Sequence, residues 1–125
     1  MAILAVDDSR IMRRLISGAI EVLGYDMLEA GNGVEALEVL EKSYEEVDLI
    51  LLDWNMPEMD GYTALQKIKE DERFKEIPVM MVTTESEREN MVKAIQAGAK
   101  NYLSKPFTQE DLTSKIAECL GMGFE

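Results

Sequence analysis

At 125 residues the chain is long enough to bury one real core and short for two, so a single domain over residues 1–125 is expected. Thirteen basic against 25 acidic side chains leave a net charge of −12, which excludes the positive footprint of a nucleic-acid binder. There is no histidine, hence no imidazole metal ligand, no Ser-His or Cys-His nucleophile and no internal phosphohistidine; nor is there an apolar run near the ~20 residues that span a bilayer.

Met1-Ala2-Ile3-Leu4 runs towards Asp7 with no basic signal-peptide start, so a cytoplasmic protein without membrane insertion is expected. Ala2-Ile3-Leu4-Ala5-Val6 is an apolar strand ending in Asp7-Asp8. Ser9 can cap the helix that follows, where Ile11, Met12, Leu15, Ile16, Ala19, Ile20 and Leu23 recur at helical spacing before Gly24 stops it. Arg13 and Arg14 read as one solvated face of that helix. Residues 25–30 predict a second, more polar strand, closed by a Gly31-Asn32-Gly33 turn; Val34, Ala36, Leu37 and Leu40 define the next helix.

The unbroken run Leu49-Ile50-Leu51-Leu52 suits a strand covered on both faces. It ends abruptly at Asp53, and Pro57 with Gly61 marks an irregular loop. Asp60 can cap a third helix carrying Ala64, Leu65 and Ile68. Residues 77–82 form a fourth strand, with Pro78 tolerable only at its start, that leads into Thr83-Thr84. Ser86-Glu87-Arg88-Glu89 reads as a capping box opening a helix with Met91, Val92 and Ile95 inward, stopped near Gly98.

Asn101-Tyr102-Leu103-Ser104 is a short fifth strand running into Lys105-Pro106, and Tyr102 by itself reads as half-buried packing. Thr108 and Asp111 frame another capping box; the last helix carries Leu112, Ile116 and Leu120 before a fraying tail at 121–125. Cys119, the single cysteine, reads as a small buried hydrophobe on that helix, and the methionines as core filler. Strands alternating with helices predict a parallel sheet covered on both faces, with right-handed crossovers.

The polar groups that chemistry could use all fall at strand ends: Asp7 and Asp8, Asp53, Thr83, and Lys105. In an open α/β sheet that edge is where ligands bind, and a reversal of winding between the first and third strands would bring the acids into one crevice. Three clustered carboxylates repel unless compensated, and a hard cation such as Mg²⁺, which takes oxygen ligands and keeps waters, resolves this. Lys105 adds a point charge suited to a phosphoryl oxygen and Thr83 a hydroxyl. Nucleophile, metal, cation and hydroxyl are the parts of phosphoryl transfer, and an aspartate can be the nucleophile, forming an acyl phosphate. Taken singly, an Asp-Asp is usually a helix cap and a Lys-Pro a turn; their joint register with the apolar pattern favours a site.

These residues resemble the receiver domain of bacterial response regulators over essentially the whole chain. Asp7-Asp8, Asp53, Thr83 and Lys105-Pro106 match that family's acid pair, phosphoacceptor, switch hydroxyl and essential lysine in order and spacing, and residues 53–61 are close to the same segment of its single-domain chemotaxis members. The resemblance implies a flavodoxin-like doubly wound sheet of strand order 2-1-3-4-5 with no output domain. It implies that Asp53 takes its phosphoryl group from a histidine kinase. Asp8 would ligate Mg²⁺ directly, Asp7 through water, with Asp53 and the backbone carbonyl of Asn55 completing the set. Lys105 would bind the phosphoryl group, with a cis Lys105-Pro106 bond. Thr83 would move onto a phosphoryl oxygen and Tyr102 turn inward, passing the signal through a face of the fourth helix, fifth strand and fifth helix to a docking protein such as the flagellar motor switch. Asn55 and Glu85 stand where the family tunes phosphoryl lifetime and point to short-lived signalling; Thr84 stands where the family prefers a smaller residue.

Three other readings compete. A sporulation-type phosphorelay intermediate shares the site and differs in partners. A phosphatase of the haloacid-dehalogenase type needs a second acid two residues after its nucleophile, where this chain has Asn55. A flavodoxin-like electron carrier needs a Ser/Thr/Gly phosphate cradle in the first loop, where this chain offers acids.

Overall fold

The computed structural model describes residues 1–84 and 88–121. Within them the chain forms β1 (Ala2–Val6), α1 (Arg10–Val22), β2 (Asp26–Ala30), α2 (Gly33–Ser43), β3 (Val47–Leu52), α3 (Gly61–Glu70), β4 (Val79–Thr83), α4 (Arg88–Gln96), β5 (Asn101–Ser104) and α5 (Gln109–Cys119). The five strands pair in parallel in the order β2-β1-β3-β4-β5, the doubly wound arrangement the sequence predicts. Because β1 pairs with both β2 and β3, the winding reverses between β1 and β3, and a crevice opens at their carboxyl ends.

The strands alternate with a period of two between two cores. Leu4, Val6, Ile50, Leu52, Val79 and Met81 pack with Leu40 of α2, Leu65 and Ile68 of α3 and Ala94 of α4. Ile3, Ala5, Leu49, Leu51, Met80 and Val82 pack with Ile16 and Ile20 of α1 and with Leu112, Ile116 and Cys119 of α5. A strand buried on both faces has to be apolar throughout, which is why β1 and β4 are buried at every position whereas the edge strand β2 is only partly so.

The helix starts follow side-chain chemistry. Ser9, Asp60 and Thr108 cap α1, α3 and α5 as their positions predict, and Thr108 with Asp111 closes a full capping box. Asn32, read from sequence as part of a turn, is also a cap: its side chain accepts from the Glu35 backbone N–H. The capping residues expected at Ser86 and Glu87, the residue Glu85 expected to tune phosphoryl lifetime, and residues 122–125 of the expected tail lie outside the described residues.

Two expectations are corrected. Val92 and Ile95 of α4 do not point inward: they are 45% and 49% exposed, while Ala94 is buried and Met91 partly so. The helix sits on its small residue, and its apolar stripe is wider than the face it buries. Arg13 is not part of a solvated face with Arg14. Its guanidinium donates to the backbone carbonyl of Asp7 and pairs with Glu29 at 3.0 Å, so it ties α1 to the ends of β1 and β2.

Candidate functional site

β1 and β3 are adjacent and parallel, so their carboxyl-terminal acids arrive together. The Asp7 N–H donates to Ala30 and the Asp53 N–H to Val6, each at 3.0 Å, which continues the sheet's bonding into the two acids and fixes where they leave it. Asp7 and Asp53 are buried at 1% and 6% exposure, and Asp8 is exposed beside them. One carboxylate oxygen from each of Asp7, Asp8 and Asp53 can be chosen so that all lie within 4.8 Å of one another, a hard-oxygen set of the kind Mg²⁺ takes.

Lys105 enters from the end of β5. Its Nζ lies 2.7 Å from Asp7 Oδ2 and 3.3 Å from Asp53 Oδ2, and its bond to Pro106 is cis, as the resemblance implies. Thr83, at the end of β4 and fully buried, hydrogen-bonds to the Asp53 carboxylate. Burial pushes the Asp53 carboxyl above its ordinary value; Lys105 opposes this, Asp7 adds to it, and the bond from Thr83 opposes it. A charge held against its own burial is one that a new covalent or metal partner can relieve.

The β3–α3 loop is shaped around Asp53. The Trp54 N–H donates to Asp53 Oδ1 at 2.8 Å, and the Gly61 N–H returns to the Trp54 carbonyl at 2.8 Å. A β-carbon on Gly61 would stand 1.9 Å from the Asp53 carbonyl oxygen, so no side chain fits there. Glu58 holds φ at +67°, a left-handed conformation that a side chain adopts only under constraint, and the neighbouring Met59 carbonyl accepts from the Gly33 N–H at the start of α2. Asn55, the expected source of a carbonyl ligand, lies exposed on this loop.

The structure therefore brings Asp7, Asp8, Asp53, Thr83 and Lys105 to one crevice. Tyr102 is 8% exposed and packs in the core with Ala94 of α4, so it lies inside here rather than half-buried at the edge. Thr84 is exposed. Sequence reasoning missed Arg13 behind the acid pair; its one available signal was a basic residue one helical turn after the Ser9 cap.

Comparison with known proteins agrees with this geometry. The sequence profile of the response regulator receiver domain matches residues 3–117. The chain is 46% identical over 122 residues to the chemotaxis protein CheY1 of Helicobacter pylori, covering 97% of this chain and 98% of that one. It is 43% identical over 124 residues to the chemotaxis protein CheY homolog of Campylobacter jejuni, covering 98% and 95%. Among solved structures, CheY4 of Vibrio cholerae superposes with a TM-score of 0.87 at 34% identity, over 95% of this chain and 98% of that one. A CheX-CheY-BeF3-Mg+2 complex from Borrelia burgdorferi gives 0.89 at 26% identity, over 94% and 87%. On the profile match over residues 3–117 and these identities, the chain belongs to the response regulator receiver domain family.

Proposed function

We propose that this chain is a stand-alone chemotaxis response regulator whose signal is a phosphoryl group on Asp53. The observation that carries the reading is Asp53 itself, a buried carboxylate held by one lysine and one threonine beside two further acids. An Asp53 oxygen would form a P–O bond with the phosphorus of a histidine kinase's phosphohistidine as the P–N bond breaks, the departing imidazole taking a proton. These 125 residues hold no histidine, so a phosphohistidine donor would lie outside them. Lys105 would stay beside Asp53 and neutralise phosphoryl oxygens, and Thr83 would turn its hydroxyl from the carboxylate to the phosphoryl group. Asp7, Asp8, Asp53 and the Asn55 carbonyl would hold Mg²⁺. When bound, that ion neutralises charge gathering on the phosphoryl oxygens. Asn55 cannot shuttle a proton as a phosphatase acid would, so we read the chain as a switch that assists its own phosphorylation and dephosphorylation, not as an enzyme of turnover.

Three further observations support the finer reading. The curated relatives carry chemotaxis names and are nearly coextensive with this chain, which supports a regulator of one domain acting by docking. Among the described residues no helix is long and apolar enough to cross a membrane, in keeping with action in the cytoplasm. Met91, Val92, Ile95, Asn101 and Tyr102 line an apolar groove between α4 and β5, a surface for a docking partner, which we take to be a flagellar motor switch protein.

Incubation with a small phosphodonor and Mg²⁺, followed by intact mass, should add one phosphoryl group to the parent and none to Asp53→Asn. Labelling that persists in Asp53→Asn would overturn the assignment. Capture with beryllofluoride-treated protein tests the output: a flagellar switch protein supports chemotaxis, whereas a phosphotransferase would move the reading to a sporulation-type relay.

A further inference from the structure

A column of three side chains runs from the phosphoacceptor to the outer surface of α4. The Trp54 N–H donates to Asp53 Oδ1 at 2.8 Å, so the backbone of Trp54 is fastened to the carboxylate. The Trp54 indole stacks on Tyr62 of α3, with ring centroids 5.2 Å apart and planes within 11°. Lys93 Nζ, from α4, lies 4.8 Å from the centroid of the Tyr62 ring. A cation over an aromatic face is attracted by the ring's quadrupole, and offset parallel rings attract each other, so each member helps to hold the next in place. Trp54 and Tyr62 are partly buried and Lys93 is exposed, so the column leads from the crevice outward.

We propose that Tyr62 and Lys93 are positioning residues for Trp54, through which the occupancy of Asp53 and the seating of α4 are coupled. The inference rests on Asp53 being the phosphoacceptor. An ionised carboxylate accepts the Trp54 N–H strongly; once one of its oxygens is bonded to phosphorus as an acyl phosphate, the carboxylate's own charge is gone and that hold weakens. Trp54 then resettles, and Tyr62 and Lys93 move with it. Coupling between two sites is reciprocal, so a column built on the free carboxylate favours the free state, and loosening it at α4 favours the loaded one.

The test titrates the parent, Lys93→Met, Lys93→Arg and Tyr62→Leu with beryllofluoride, the phosphoryl analogue, at saturating Mg²⁺, following Trp54 fluorescence. Lys93→Met and Tyr62→Leu should lower the midpoint about two- to fivefold, the equivalent of one exposed cation–π contact, and Lys93→Arg should restore it. In the parent, the Lys93 ε-methylene proton resonances, displaced by the Tyr62 ring current, should move on loading. Parental or raised midpoints in Lys93→Met or Tyr62→Leu, failure of Lys93→Arg to recover, or ε-methylene signals that stay still on loading overturn the coupling. A parent that shows no beryllofluoride response overturns the phosphoacceptor reading and the coupling with it; a responding parent with indifferent variants overturns the coupling alone.

Discussion

Two cations in this molecule each bridge a pair of carboxylates, in opposite surroundings. Lys105 reaches Asp7 at 2.7 Å and Asp53 at 3.3 Å, with its side chain 11% exposed and theirs 2% and 8%. Arg73 reaches Glu41 at 2.6 Å and Asp71 at 2.9 Å in the open, its side chain 42% exposed and theirs 55% and 29%. By distance the exposed cluster is the tighter; by consequence it is the weaker, because water already screens its charges. Hydrogen bonds from Arg73 hold the Glu41 and Asp71 carboxyls below their ordinary values, whereas burial pushes Asp53 above its own. The exposed cluster fastens α2 to the end of α3, and water screens its surplus negative charge. The buried one, with Asp8 beside it, holds more negative charge than its lysine can balance in a place water screens poorly, and that imbalance is what a cation can act on.

The widest separation between the clusters should come from Lys105→Met. Phosphoryl incorporation from a small phosphodonor should fall about a hundredfold, the scale of losing one charge-stabilising donor. Metal-free stability in urea should fall by about 3 kcal/mol, because two buried carboxylates lose their counter-charge, and millimolar Mg²⁺ should return part of it. Unchanged labelling would reduce the buried cluster to a tie like that of Arg73. Next in size is the metal itself. Mg²⁺ should change Trp54 fluorescence saturably, and Asp8→Asn should raise the midpoint about tenfold or more, while Arg73→Met leaves it where it was.

Stability against pH gives a smaller effect with opposite signs in the two places. Asp53 has a raised folded-state pKa, so its ionised form opposes folding above that value. Asp53→Asn should therefore raise the metal-free Tm at neutral pH by about a few degrees, and the gain should vanish as pH falls below the ordinary carboxylate range. Glu41 has a lowered folded-state pKa, so its charge supports folding above the unfolded value. Glu41→Gln should lower Tm slightly at neutral pH, and that loss should disappear in acid. The same sign in both variants would contradict the contrast. Arg73→Met should do least, shifting Tm barely and only at low salt.

The sheet and the site were legible in the sequence for one shared reason. A doubly covered strand has to be apolar throughout, so the first polar residue after Val6, Leu52 and Val82 marks where each strand reaches the edge, and the winding reversal does the rest. What was hidden depends on neighbours distant in sequence. Arg13 looked like any basic residue on a helix until β2 placed Glu29 against it. Val92 and Ile95 fit an inward stripe as well as Ala94 does, and only the seat of α4 on β4 and β5 decides between them. Phe74, fully enclosed in the core between α3 and β4, lies in a stretch with no periodicity to announce it.

The glycine behind Asp53 sets a limit of a different kind. With the Asp53 carbonyl 1.9 Å from where a β-carbon would stand, position 61 admits glycine alone among the amino acids so long as the loop keeps its course. Glu58, three residues earlier, already carries a side chain at φ +67° and would accept glycine or asparagine with relief. A saturation library read out by folding alone, with no phosphodonor present, should therefore leave an empty row at 61 and a tolerant one at 58, and so outline the loop around Asp53 before its chemistry is assayed.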